Sequence, residues 1–279
     1  MLLATLFFAG MHGSVRYVAS TGMHPFEISF FRNLFGLLVV LPWFIRFGWA
    51  PLRTNRLRLH GLRAGLNAAS MIAFFYALSI APLTQVTALT FTAPIIATLL
   101  AIFLLREQVG LRRWSAIALG FAGTVVVLRP GIESVGLGAT LTICAAVGWA
   151  FVLLIIKSLG RTESSVTITT YMSLLMSPIA LVPALFVWQW PTPSQWLWLV
   201  LIGVMGNAGQ LLMVWSLKEA ETNVVMPFDF FKLVWVSVIA YFAFAEVPDV
   251  FTWLGGGMIF SGAAYIAYRE RRLAKPPGQ

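Results

Sequence analysis

The chain has 279 residues, of which 59% are hydrophobic and only 10% charged, against about 25% charged in an ordinary soluble domain. That composition excludes a soluble globular enzyme, because too little polar surface exists to cover such a core, and it points to a polytopic membrane protein. The formal net charge of +9 sits in short loops between apolar runs, which argues against a nucleic-acid partner, and the single cysteine, Cys144, excludes an internal disulfide or a cysteine-based metal cluster.

The apolar runs predict ten spanning helices, over 2–20, 26–47, 59–80, 84–105, 114–128, 137–156, 166–188, 196–217, 223–245 and 251–268. The first ends in a signal-peptide-like Val18-Ala19-Ser20, but it lacks a basic leader and contains Arg16, so it reads as a span. The chain opens directly on apolar residues, which leaves room for a true start upstream of Met1. With the N-terminus inside, the cytoplasmic side receives Arg46, Arg53, Arg56, Arg58, Arg63, Arg106, Arg112, Arg113, Lys157, Arg161, Lys218, Arg269, Arg271, Arg272 and Lys275. The outer side receives Arg129 alone, a ratio of fifteen to one that sets both termini in the cytoplasm. Trp188, Trp190, Trp196 and Trp198 mark the outer interface, and Trp43, Trp49 and Trp114 the inner one.

The two halves repeat one another. A shift of 139 pairs Leu78 with Leu217, Ala81 with Ala220, Phe91 with Phe230, Glu107 with Glu246, Trp114 with Trp253 and Gly123 with Gly262, and a shift of 140 pairs Asn67 with Asn207. Five spans per half is an odd number, so the halves run in opposite senses across the bilayer. The fold class expected is an all-α membrane protein of ten transmembrane helices in two inverted five-helix repeats, 1–130 and 137–270, followed by a short basic cytoplasmic tail, 271–279.

Those halves carry FFYALSIAPLTQVTALTFTAPIIATLLAIFLLREQV (74–109), GFAGTVVVLRPG (120–131) and a weaker second copy ending in IFSGAAYIAYRE (259–270). On these motifs, over nearly its whole length, the chain resembles the drug/metabolite transporter superfamily, in particular its EamA-domain members. The runs VVMPFDFFKLVW (224–235) and YFAFAEVPDVFTWLGG (241–256) look most like a bacterial branch of S-adenosylmethionine or riboflavin uptake carriers and metallophore exporters. The resemblance implies a ten-helix basket in the bacterial inner membrane, a central cavity and alternating access, with no ATP hydrolysis by the protein itself. Amino-acid export is a further activity it implies.

The residues within the spans set out a candidate site. Asp229 and Lys232 are three apart on one helical face, where they can pair. A charge at a span centre costs about 2.5–3.5 kcal/mol, so two of them need a reason. Arg32 lies about 9 Å into its span and Arg16 about 6 Å from the outer end of its own, with His12 one turn earlier on the same face. Asp229 neutralises one of these three cations, and Glu27 is a candidate partner for a second. Asn67 with Ser70 share a face of the third span, and Asn207 with Gln210 repeat that arrangement in the eighth. Thr87, Thr90 and Pro94 line one face of the fourth span, answered by Met226, Asp229 and Leu233 in the ninth. The substrate-binding set expected is therefore Arg16, Arg32, Asn67, Thr90, Asn207, Gln210, Asp229 and Lys232, with Pro94 and Pro227 as hinges. Its cationic excess favours an anionic or zwitterionic substrate, and Trp149, Trp215, Phe228, Phe230 and Phe231 offer faces for a flat one. Each of these residues also has a structural reading as an ion pair, an interhelical hydrogen bond, a packing kink or a snorkelling cation.

The function expected is a secondary carrier for a small organic metabolite. Protons acting through Asp229 or His12 are a candidate coupling ion, and the carrier is read as a monomer or homodimer. No Walker motif is present, and neither a cofactor nor a metal is expected. A membrane-embedded enzyme is the second class. Asp229 is the only buried aspartate expected, and His12, His24 and His60 are scattered, so the dyads or metal sites of intramembrane hydrolysis find no match. A non-transporting membrane subunit is the third.

Overall fold

The computed structural model describes residues 1–49, 52–105, 111–128, 136–160, 162–219, 228–229 and 231–274. Their elements are all helical: α1 (Leu2–Ser20), α2 (Pro25–Phe47), α3 (Leu57–Ile80), α4 (Leu83–Thr90), α5 (Thr92–Leu105), α6 (Leu111–Leu128), α7 (Leu137–Leu159), α8 (Ser165–Leu185), α9 (Pro193–Glu219), α10 (Phe231–Phe244) and α11 (Val250–Ala274). Six helical stretches among the described residues are long and apolar enough to cross a bilayer, namely 25–46, 57–80, 83–100, 137–156, 166–185 and 193–213. Trp114–Leu128 and Phe231–Phe244 are shorter apolar helices. Ten full spans is thus a finer statement than these lengths carry. α1 holds His12 and Arg16 within 19 residues, and α11 ends in the charged run Arg269-Glu270-Arg271-Arg272.

The surface is that of a protein solvated by lipid. Phe242 is 81% exposed, Phe103 70% and Val182 59%, an arrangement that water would penalise and hydrocarbon accepts. Because lipid tails are as apolar as these side chains, close packing and interhelical hydrogen bonds hold the helices together.

Local chemistry sets the helix ends. At the start of α2, the His24 side chain accepts from the Phe26 N–H, Glu27 Oε2 accepts from the His24 N–H at 3.3 Å, and Pro25 fills the first turn where no N–H is needed. Ser164 caps α8 by accepting from the Thr167 N–H at 3.0 Å. The fourth predicted span is broken at Phe91 into α4 and α5. Pro94 causes this: it has no N–H for the carbonyl of Thr90, and its ring crowds that carbonyl. The backbone tightens through a Phe91 N–H bond to Ala88 O at 3.2 Å, while the hydroxyls of Thr90 and Thr92 donate to the carbonyls of Thr87 and Leu89, each at 2.7 Å.

The helices pack as interlocking pairs: α1 on α9, α3 on α7, α2 on α8 and α9, α3 on α8, α1 on α10, α5 on α7, and α6 on α11. The last crossing brings backbone against backbone. A Cβ on Gly123 would lie 2.6 Å from the Gly255 carbonyl, and one on Gly262 would lie 2.5 Å from the Ala116 carbonyl, so glycine is required where these backbones meet. At Gly61, Gly65 and Gly257, by contrast, a Cβ would meet no atom within 4 Å, so close packing does not require glycine there.

Candidate functional site

A cavity of about 360 Å³ lies among α1, α2, α3, α4, α5, α7, α8, α9 and α10. Met1, Phe8, Arg63, Ile156, Met172 and Met213 line the part nearer the face from which α1 starts. At the opposite face the interior is filled. Val15 and Val18 of α1, Leu78 of α3, Val86 of α4, and Val236 and Ala240 of α10 are fully buried there.

Charged side chains seal that filled face. Arg16 Nη1 donates to the carbonyls of Leu78 (2.9 Å) and Ala81, at the end of α3. Arg16 Nη2 pairs with Glu246 Oε1, and the guanidinium stands 5.6 Å from the Phe244 ring centre. Glu246 Oε2 accepts from the Leu83 N–H at 3.0 Å, at the start of α4. A cation thus satisfies the last carbonyls of one helix and an anion the first N–H of the next, the signs that helix ends prefer.

One cavity wall belongs to α2 and α9. Arg32 is 93% buried, and its Nη1 donates to Asn33 Oδ1 at 3.0 Å, while Asn33 Nδ2 is anchored on the Ser29 carbonyl at 2.8 Å. The guanidinium packs on Gly206, and Gln210 lines the cavity one turn further along α9. The facing wall belongs to α4, α5 and α10, where Thr90, Phe91, Ala93 and Pro94 at the helix break meet Asp229 and Lys232. Lys232 Nζ lies 3.4 Å from Asp229 Oδ2 and 4.8 Å from the Phe91 ring centre. Asp229 precedes α10 and Lys232 lies in its first turn, so the pair sits at a helix start and not at a helix centre as expected from the sequence. α10 has 14 residues and is about 21 Å long, which sets its start well inside a hydrocarbon core of about 30 Å. Between the walls, the Trp149 indole N–H donates to Asn67 Oδ1 at 2.9 Å, Asn67 Nδ2 meets Met176 Sδ at 3.1 Å, and the Phe74 ring stands 5.1 Å from that of Trp149.

Six of the sequence-derived binding residues therefore share this cavity: Arg32, Asn67, Thr90, Gln210, Asp229 and Lys232, with Pro94 at its break. Arg16 and Asn207 do not line it. Arg16 is turned to the sealed face by Glu246, and Asn207 is spent on the Gly36 carbonyl and Ser173 Oγ inside the α2, α8 and α9 packing. Glu27 does not neutralise a buried cation, since its oxygens accept from the backbone N–H groups of His24 and Gln189. Pro227 and Glu107 lie outside the described residues. Arg63 is a cavity residue that the sequence reading placed among the loop charges. It is 2% exposed, donates to the Ile168 carbonyl at 2.8 Å, and stands one turn before Asn67 on the same face of α3. That i,i+4 relation was the available signal.

A model of the EamA-like transporter family matches the chain twice, over residues 1–129 and 136–268. The S-adenosylmethionine uptake transporter of Rickettsia bellii is 31% identical over 255 residues, covering 90% of this chain and 87% of that protein. The riboflavin transporter of Vibrio cholerae is 32% identical over 280 residues, covering 99% and 94%. A solved crystal structure with 18% identity superposes with a TM-score of 0.63 over 98% of this chain and 99% of its own, which shows a common fold. Multi-pass and helical, with a cavity among its helices, the chain belongs to the EamA-like transporter family of the drug/metabolite transporter superfamily.

Proposed function

We propose that the protein is a secondary carrier that moves a small organic metabolite, anionic or zwitterionic with a flat portion, across a bacterial inner membrane by alternating access. The observation that carries this reading is the asymmetry of the interior: a largely apolar and aromatic cavity carrying a few polar and charged groups toward the Met1 face, and a packed seal held by Arg16 and Glu246 at the other. The bias of the loop charges, fourteen to one once Arg63 is assigned to the cavity, supports a cytoplasmic Met1 face and hence a conformation that opens inward.

Two inverted five-helix repeats supply the device that exchanges the open face. Three interlocking observations support them. The shift of 139 carries Gly123 to Gly262 and Ala116 to Gly255, and the two resulting contacts, Gly123 with Gly255 and Gly262 with Ala116, are both present. A shift of 140 carries Asn67 to Asn207 and Gly36 to Met176, and both Asn67–Met176 and Asn207–Gly36 touch. The packing of α1 on α9 answers that of α7 on α3. The substrate-binding residues proposed are Arg32, Asn67, Thr90, Gln210, Asp229 and Lys232, with Pro94 as a hinge. Two relatives are called S-adenosylmethionine and riboflavin transporters, which makes these two compounds the first to test. Untargeted metabolite profiling of cells with and without the protein tests the reading: a small organic compound shifts across the membrane in its presence, and an unchanged profile in both directions of flux contradicts it.

A further inference from the structure

We infer that Arg32, and not Lys232, is the anchor for an oxyanion on the substrate, a carboxylate or phosphate attached to a planar body. This inference rests on the transport reading for the cavity being a substrate site, and it specifies what that site selects. Three cations line the cavity, and they differ in what already satisfies them: Arg63 spends Nη1 on the Ile168 carbonyl at 2.8 Å and Nη2 on Met172 Sδ at 3.6 Å. Lys232 has Asp229 Oδ2 at 3.4 Å and the Phe91 ring at 4.8 Å. To receive an anion it must share or leave a carboxylate that would then stand unpaired at membrane depth, which is costly.

Arg32 has no carboxylate partner among the described residues. One arm of its guanidinium is fixed, through Nη1 to Asn33 Oδ1, and Asn33 is itself held by the Ser29 carbonyl. Nη2 donates to nothing among the described residues and is the arm left for a ligand, while Nε is enclosed against Gly206 without a partner. A buried guanidinium with unused donors and a fixed orientation is poised for a planar oxyanion, since the ordering has been done before the ligand arrives.

α9 shapes the rest of the anchor. A Cβ on Gly206 would lie 2.9 Å from Arg32 Nε and 3.1 Å from Nη2, so glycine leaves the guanidinium its place. Gln210, four residues on along the same face, lines the cavity and makes no hydrogen bond among the described residues, so its amide offers a second donor. The oxyanion sits at this α2–α9 corner. The planar body lies against Phe74 and Trp149, and any cationic group on the ligand is turned toward Asp229.

Matched probes test the assignment on the purified full chain in detergent. S-adenosylmethionine is compared with its decarboxylated form for a carboxylate, and flavin mononucleotide with riboflavin for a phosphate, each by concentration-dependent thermal stabilisation. The wild-type protein prefers the oxyanion-bearing member of at least one pair by about 10- to 100-fold in apparent Kd. Arg32→Gln removes that preference and Arg32→Lys keeps part of it, whereas the paired change Asp229→Asn with Lys232→Met, which alters the same cavity, weakens both members of a pair alike and leaves their ratio unchanged. Gly206→Ala displaces the guanidinium without removing its charge and reduces the preference, which keeps the test open where Arg32→Gln fails to give monodisperse protein. Absence of an oxyanion preference in the wild type, or its survival in Arg32→Gln with loss in the paired Asp229 and Lys232 change, overturns the assignment. Binding by the wild type without flux of any of the four compounds into proteoliposomes would instead overturn the transport reading and leave the anchor standing.

Discussion

Arg16 and Glu246, 230 positions apart, form an ion pair that also ties the end of α3 to the start of α4 at the sealed face. Both side chains are about one-fifth exposed, so solvent screens part of the attraction, and the worth of the pair lies as much in the helix ends it satisfies.

Removing that seal shifts the protein toward an opening at the Glu246 face. Glu246→Gln leaves Arg16 without its anion at a cost of about 1–2 kcal/mol to the sealed state. With Cys144 replaced by Ser, a cysteine at Ala81 reports the change. A membrane-impermeant maleimide labels it slowly in otherwise unaltered protein and about tenfold faster in Glu246→Gln, a factor that corresponds to about 1.4 kcal/mol. Equal labelling rates exclude a sealing role.

The backbone next to the pair is strained to hold it. Ala245 has φ of 53°, in the left-handed region that disfavours a side chain, and the turn is closed by the Glu246 N–H bonding to Ala240 O at 3.0 Å. Ala245→Gly relieves about 1 kcal/mol of that strain. The midpoint of thermal unfolding rises, and a fall in midpoint contradicts the geometry.

Pro94 holds the break between α4 and α5 open beside the cavity. Pro94→Ala restores an N–H to the Thr90 carbonyl and lets the helix run through Phe91. Thermal stability is kept or raised while the transport rate falls about tenfold, a loss equivalent to about 1.4 kcal/mol in barrier height. Unchanged transport in a stabilised variant removes Pro94 from the hinge.

Asp229 and Lys232 behave as a unit in stability. Lys232→Met alone strands a carboxylate at membrane depth and costs about 2.5–3.5 kcal/mol. The double change Lys232→Met with Asp229→Asn recovers most of that loss, and a double-mutant cycle of thermal midpoints measures the coupling. Additive losses contradict a direct pair.

Patterns local in sequence were legible before the structure. The spacing of Asp229 and Lys232 announced their pairing, and Pro94 announced a discontinuity. Relations between distant segments were not. Nothing near Arg16 or Glu246 in sequence marks them as partners, and only the packing of α1 against α10 brings them together. Asn207 shows how symmetry misleads: its helix position repeats that of Asn67, yet the Asn67 amide meets Trp149 and Met176 at the cavity, while Asn207 is taken up by Gly36 and Ser173 in solid packing. Glu27 was obscured differently, since a carboxylate near an arginine in sequence was captured by backbone donors that sequence does not display.

The central claim, that the cavity is the route of a small organic metabolite, is tested most directly by flux into liposomes containing only the purified chain. S-adenosylmethionine and riboflavin are the first tracers, followed by compounds found by profiling, and each is measured with wild-type protein and with Gln210→Trp, which fills the cavity from the α9 wall. The account predicts saturable accumulation with the wild type and its loss in a Gln210→Trp variant that remains monodisperse. Equal flux through both proteins would contradict it.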